Sequence, residues 1–213
     1  MNWFIHTIGS SIGKKLLMAI TGLGFCGFLA VHLAGNLTIY GGKASFNSYS
    51  EHLHALEPLV TIAEWGLLTF AVVHVLTGAV LFYQNLKARP VRYSVNKSAG
   101  GRSLGSRTMP YTGILLLAFV IFHLINFHFA DRTVTTIYAI VSGAFKHPAY
   151  VVVYIIAVAI AAVHVSHGFW SAFQTIGANH PKYMPLVRTI GTVFSLMVGI
   201  GFGAIPVYLF IFV

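Results

Sequence analysis

The stretch AAVHVSHGFW, residues 161–170, sets two histidines three residues apart inside an otherwise apolar run. On a water-facing helix such a pair means little. Here the run extends over about 149–175, and an ionisable side chain inside a bilayer is costly and usually functional. The first question is therefore whether the surrounding solvent is water or lipid.

Composition answers it. The chain has 213 residues, 57% of them hydrophobic and 8% charged, where a soluble domain carries roughly 25% charged residues. Lipid is the expected solvent. Apolar runs long enough to cross a bilayer, which takes about 20 residues, occur five times, near 15–40, 59–87, 110–130, 149–175 and 186–213. The segments between them, YGGKASFNSYSEH (40–52), KARPVRYSVNKSAGGRSLGSR (87–107), ADR through GAFKH (130–147) and GANHPKYMP (177–185), hold turn-formers and charges and read as connections. The expected fold is all-α: one integral membrane bundle of five transmembrane helices spanning residues 1–213. The N-terminus lacks a short apolar core ending in a small-residue cleavage site, so it reads as mature sequence. Cys26 is the single cysteine and cannot form an internal disulfide, and no CxxCH occurs for covalent haem attachment.

The net charge of +9 is topological. With the N-terminus inside, the inner segments hold Lys14, Lys15, Lys87, Arg89, Arg92, Lys97, Arg102, Arg107, Lys182 and Arg188, ten of the thirteen Lys and Arg residues. Lys43, Arg132 and Lys146 remain outside, as do Glu51, Glu57, Glu64 and Asp131. The positive-inside rule then predicts a cytoplasmic N-terminus and a C-terminus outside, and leaves no role for nucleic acid. The loop AGGRSLGSR (99–107) follows no strand and matches neither glycine-loop phosphate motif; it reads as a flexible basic loop.

Histidines recur inside four of the five spans: His32, His74, His123 and His164, with His167 a fifth and His128 near the outer end of span three. One such histidine is as readily a hydrogen-bonded packing residue as a ligand; one in each of four spans is harder to explain that way. Depth pairs them. His32 lies ~25 Å from the inner start of span one at 1.5 Å per residue, and His123 lies at or beyond mid-membrane. His74 and His164 are each ~22 Å from their outer ends, towards the inner side. Two facing pairs at two depths suit two bis-histidine b haems held edge-on in a helical bundle. Zinc would want about four ligands at one point, and a proton relay predicts no pairing.

An internal echo points the same way. FLAVHLAG (28–35) resembles FVIFHLIN (119–126), and AVVHVLTG (71–78) resembles AAVHVSHG (161–168), so the first helix pair reads as a copy of the second. In that alignment His164 matches His74, while His167 matches Thr77. Gly78 and Gly168 each follow a candidate ligand by four residues on the same helix face, where a flat macrocycle needs a neighbour without a side chain. Gly35 is a third such candidate near His32, equally open to close helix packing.

These residues together resemble the five-helix dihaem cytochrome b membrane anchors of succinate dehydrogenases and quinol:fumarate reductases. The matching elements are SxxxKxxMAxTGL at 11–23, HLAGN at 32–36, GGxxxFNxY at 41–49, Pro58-Leu59 opening span two, and HxxxG followed by Trp at 164–170. The resemblance implies axial ligands at His32 and His123 for an outer haem and at His74 and His164 for an inner one. It implies a flavoprotein subunit with FAD and an iron–sulfur subunit on the cytoplasmic side of a bacterial inner membrane, and a dimer of such heterotrimers as one form of assembly. Electrons would pass between those partners and a quinone, menaquinone by family, near the outer face. Glu51, His52, His54 and Glu64 lie in that region and could do acid–base work there. Some fumarate reductases of the family carry a glutamate two residues before the fourth-helix ligand; here that position is Ala162, which puts that proton route in doubt. Other readings are a dihaem anchor for a different quinone-linked oxidoreductase, and a histidine-lined transporter or proton channel.

Overall fold

A computed structural model describes residues 2–88 and 104–213. The basic segment 89–103, with Arg89, Arg92, Lys97 and Arg102, lies outside the described residues, as does the first half of AGGRSLGSR. All regular structure among the described residues is helical: α1 (Asn2–Gly9), α2 (Ser11–Leu37), α3 (Gly42–Ala55), α4 (Glu57–Lys87), α5 (Leu104–His123), α6 (Ile137–Phe145), α7 (Pro148–Thr175) and α8 (Met184–Phe212). Five segments, carried by α2, α4, α5, α7 and α8, are long and apolar enough to cross a membrane. Their outward faces are apolar and exposed, as at Ile12 and Ile20 on α2, Ile62 and Leu76 on α4, and Leu196 and Ile200 on α8. Such a surface suits a lipid surround and a multi-pass membrane protein.

Local chemistry sets the helix ends. The Ser10 hydroxyl accepts from Gly13 N at 3.0 Å and so caps α2. Pro58, Pro148 and Pro185 stand in the first turns of α4, α7 and α8, where a missing N–H costs nothing. At the end of α7, Gly177 takes φ +94°, Ala178 N donates to Phe173 O, and Gly177 N donates to Gln174 O. This is a Schellman stop, whose left-handed residue favours glycine.

Three connections differ from the sequence expectation. YGGKASFNSYSEH is not a loop: a 3-10 turn (Thr38–Gly41) leads through Gly42, at φ +82°, into α3. Within 130–147, Thr136 caps α6. The third span begins at Leu104 rather than near 110, with Pro110 inside α5, so the LGSR half of the expected basic loop is its first turn. α3 and α6 pack on one another, Tyr138 N donating to Asn47 Oδ1 at 3.2 Å and Phe46 meeting the Tyr138 ring. Together they close one end of the bundle. The main apolar core lies there, with Ile39, Phe46, Phe127, Phe145, Tyr154 and Leu209 among its members. The opposite end carries α1.

α7 is central, packing on α2, α5 and α8, while α2 also meets α4 and α8. The closest seam joins α7 to α8 through small residues one turn apart on α8, Gly191, Ser195 and Gly199. Backbones approach closely over such a stripe. A Cβ on Gly191 would fall 2.9 Å from Phe169 Cδ1, and one on Gly199 3.2 Å from Ala162 Cβ. Gly191→Leu is expected to lower stability by about 1–3 kcal/mol, measured by thermal unfolding in detergent. Gly27→Ala, where nothing lies within 4 Å of the added methyl, should gain up to ~1 kcal/mol from helix propensity instead.

Candidate functional site

The four histidines occupy two levels of the bundle. Nearer α1, the His74 ring on α4 reaches α2, with Nδ1 2.9 Å from Thr21 Oγ1 and the ring edge-on to Phe25. The His164 ring on α7 reaches α5 in the same way, with Nδ1 2.9 Å from Thr112 Oγ1. Thr21 and Thr112 are both buried. Each threonine is followed by a glycine, Gly22 or Gly113, where a Cβ would sit 3.5 or 3.6 Å from the Cε1 of the histidine opposite.

Nearer the α3/α6 end, the His32 and His123 rings lie 6.0 Å apart and nearly perpendicular. Phe28 stacks on His32 one turn earlier, Phe119 leans on His123 in the equivalent place, and Phe202 of α8 closes against His32. His123 Nδ1 is 3.2 Å from the hydroxyl of buried Tyr154 on α7. The Asn36 side chain donates to the His32 carbonyl oxygen at 2.8 Å and lies 3.5 Å from both ring nitrogens. Thr21 precedes His32, and Thr112 precedes His123, by eleven residues, three helical turns, so each pair shares a face with about 16 Å between levels. α2 and α5 thus each serve both levels.

This donor set fits b haem. A metal held between two imidazole nitrogens at about 2 Å puts the ring centres roughly 6 Å apart, the spacing of His32 and His123. The donors are imidazoles among apolar side chains, a usual setting of haem iron. No three His, Cys, Asp or Glu side chains converge among the described residues, as a tetrahedral site would need. Over Gly78 stands the tip of Met18, 3.6 Å from where a Cβ would be, and over Gly168 the tip of Met109, at 4.0 Å. Both are flexible thioethers that can swing aside for a flat group. Gly35 serves a different neighbour: it is buried, and the side chain it lacks would collide with the Tyr49 ring of α3. Of the two roles open to it, helix packing is the one visible.

The second histidine of AAVHVSHGFW lies edge-on to Trp170 at 4.8 Å, and Arg188 stands 4.7 Å over the same indole. At the α3/α6 end, α5 runs into a π-helical turn, Leu124–His128, directly after His123. The wider turn places Phe127 in the core and His128 Nδ1 3.9 Å from Glu64 Oε1; π-turns are frequent at functional sites. Arg132 reaches His54 Nε2 at 3.2 Å and the Phe127 carbonyl at 3.1 Å. Of the four residues expected near a quinone, Glu64 therefore meets the π-helical turn after α5 and His54 meets Arg132 just beyond it. His52 turns back to the Ser48 carbonyl of its own helix, and Glu51 is exposed. Beside them, Asp131 accepts from Thr133 N and Oγ1 at 2.8 and 2.7 Å, which holds its carboxyl below the ordinary carboxylate range.

Thr21, Thr112 and Tyr154 were not among the expected site residues. A signal for the threonines does exist: MAITG (18–22) and MPYTG (109–113) share Met-x-x-Thr-Gly at the same distance before His32 and His123. Tyr154 has no such echo, because Glu64 stands in its place in the earlier helix pair. No family model, curated protein or solved structure matches the chain, so the resemblance rests on the residues themselves. Gly35→Ala is expected to cost about 1–3 kcal/mol by forcing Tyr49 aside. A double-mutant cycle checks it: in a Tyr49→Ala background the penalty should largely vanish.

Proposed function

We propose that the chain is the membrane anchor and electron-transfer subunit of a succinate dehydrogenase or quinol:fumarate reductase, carrying two b haems between a quinone and cytoplasmic iron–sulfur and flavoprotein partners. The observation that carries this reading is the duplicated ligand frame. Two histidine levels are stacked along one bundle, and the level nearer α1 is built twice from the same Met-x-x-Thr-Gly and His-x-x-x-Gly pieces. In this reading His74 and His164 hold the inner haem, and His32 and His123 the outer.

Bound there, the haems supply one-electron carriers at two depths of the membrane. The chain's own residues do the rest. Phe28, Phe119 and Phe202 keep water from the His32–His123 level. Glu64 and His128 form an acid–base pair beside it, a carboxylate and an imidazole able to take or give the protons that quinone chemistry moves. Met18 and Met109 line the glycine-bearing faces of α4 and α7. The charge bias supports an α1 end on the cytoplasmic side of a bacterial inner membrane. There the partners would interconvert succinate and fumarate, with menaquinone at the far side.

A reduced-minus-oxidised spectrum of the purified chain should contain a b-type band equivalent to two haems; its absence would sink the proposal. His164→Ala is expected to lower the haem content from two to one per chain, and His167→Ala to leave it at two. Purified under gentle conditions, the chain should bring with it a flavoprotein that reduces fumarate. A different flavin- or metal-bearing partner would assign the anchor to another quinone-linked enzyme.

A further inference from the structure

The two threonine hydroxyls facing His74 and His164 have already spent their protons. Thr21 Oγ1 lies 2.7 Å from the Leu17 carbonyl one turn earlier, and Thr112 Oγ1 lies 3.0 Å from the Thr108 carbonyl. A hydroxyl has one proton and a carbonyl oxygen has none, so each threonine donates to its own helix. What each then presents to the histidine, 2.9 Å away, is a lone pair. A neutral imidazole carries its hydrogen on one nitrogen only. At that distance Nδ1 must be the protonated one, since the other tautomer would set two lone pairs against each other in a buried site.

We propose that Thr21 and Thr112 are positioning residues that hold His74 and His164 as Nδ1–H tautomers, leaving the Nε2 lone pair of each for iron. The inference deepens the electron-transfer reading above and rests on it for the identity of the metal. The device belongs to one level only. At the other, the Tyr154 hydroxyl can donate to or accept from His123 Nδ1, and the Asn36 amide is equidistant from both ring nitrogens of His32. Neither fixes a tautomer. An Nδ1–H···O bond also strengthens the imidazole as a donor, which favours ferric iron and lowers the reduction potential of the haem so held.

The test uses the full chain with 15N-labelled histidine. Haem-free wild type should show His74 and His164 protonated at Nδ1 and bare at Nε2. Thr21→Val should release only His74 from that state and Thr112→Val only His164, while Thr21→Ser and Thr112→Ser should restore it. In the haem-loaded complex, either valine variant should raise the potential of one haem and leave the other unchanged. The double variant should weaken retention of that haem roughly 10- to 100-fold. Nε2-protonated His74 and His164 in the wild type would overturn the inference. So would valine variants that stay folded with tautomer and potential unchanged. A wild type that binds no haem would defeat the electron-transfer reading, yet the tautomer measurement would still decide this one.

Discussion

An imidazole placed in lipid cannot leave its N–H to water, and most of the site follows from that constraint. The partner has to come from another helix or from the same helix a turn away. At His74 and His164 it is a threonine on a neighbouring span and at His123 a tyrosine; at His32 an asparagine one turn on brings an amide donor to the ring nitrogens instead. No buried side-chain nitrogen or oxygen is left without a partner among the described residues. The hydrogen bonds therefore do two jobs. They settle the polar groups, and they lock α2 to α4 and α5 to α7 at particular rotations, which aim the rings into the bundle.

Hydrophobic attraction cannot drive helices together within hydrocarbon, since lipid tails are as apolar as leucine. Close contact must supply what burial would supply in water. The α8 stripe of Gly191, Ser195 and Gly199 provides it against α7, and Gly201, which meets Leu33, provides it against α2. α4 has one buried residue, Thr77. It is held against α2 by the close seat of Phe70 on Gly24 and by the Thr21–His74 and Lys14–Gln84 bonds, 2.9 and 2.8 Å.

How much was legible in the sequence depended on which force set each feature. Span positions follow from summed apolarity, and the observed helices lie within a few residues of expectation except at Leu104. There the helix extends back past the apolar run, and Pro110 stands inside α5. The meeting of His32 with His123 was legible because depth along a straight helix is countable. α3 reads as a connection because Lys43, Ser45, Asn47 and Ser50 signal exposure, which does not separate a surface helix from a loop, and α6 is apolar but only nine residues long, too short to span. The π-turn at Leu124–His128 left no local mark. It is stabilised by what it delivers, Phe127 to the core and His128 to Glu64. Thr21 and Thr112 were hidden for a different reason. Thr21 stands within the MAxTGL element at 18–23, yet a threonine in a span shows no role until the facing helix is known, and the repeated Met-x-x-Thr-Gly is what links it to Thr112.

The eleven-residue spacing of Thr21 to His32, and of Thr112 to His123, ties the two levels together mechanically. Three turns of helix carry both side chains on one face, so a roll or slide of α2 displaces the hydroxyl at one depth and the imidazole at the other in the same stroke. Neither level can be adjusted by shifting a helix as a rigid rod. Lineages descended from such a bundle have one free route to independent tuning, the exchange of single side chains around a fixed frame. The frame should therefore drift far more slowly than the residues that line it.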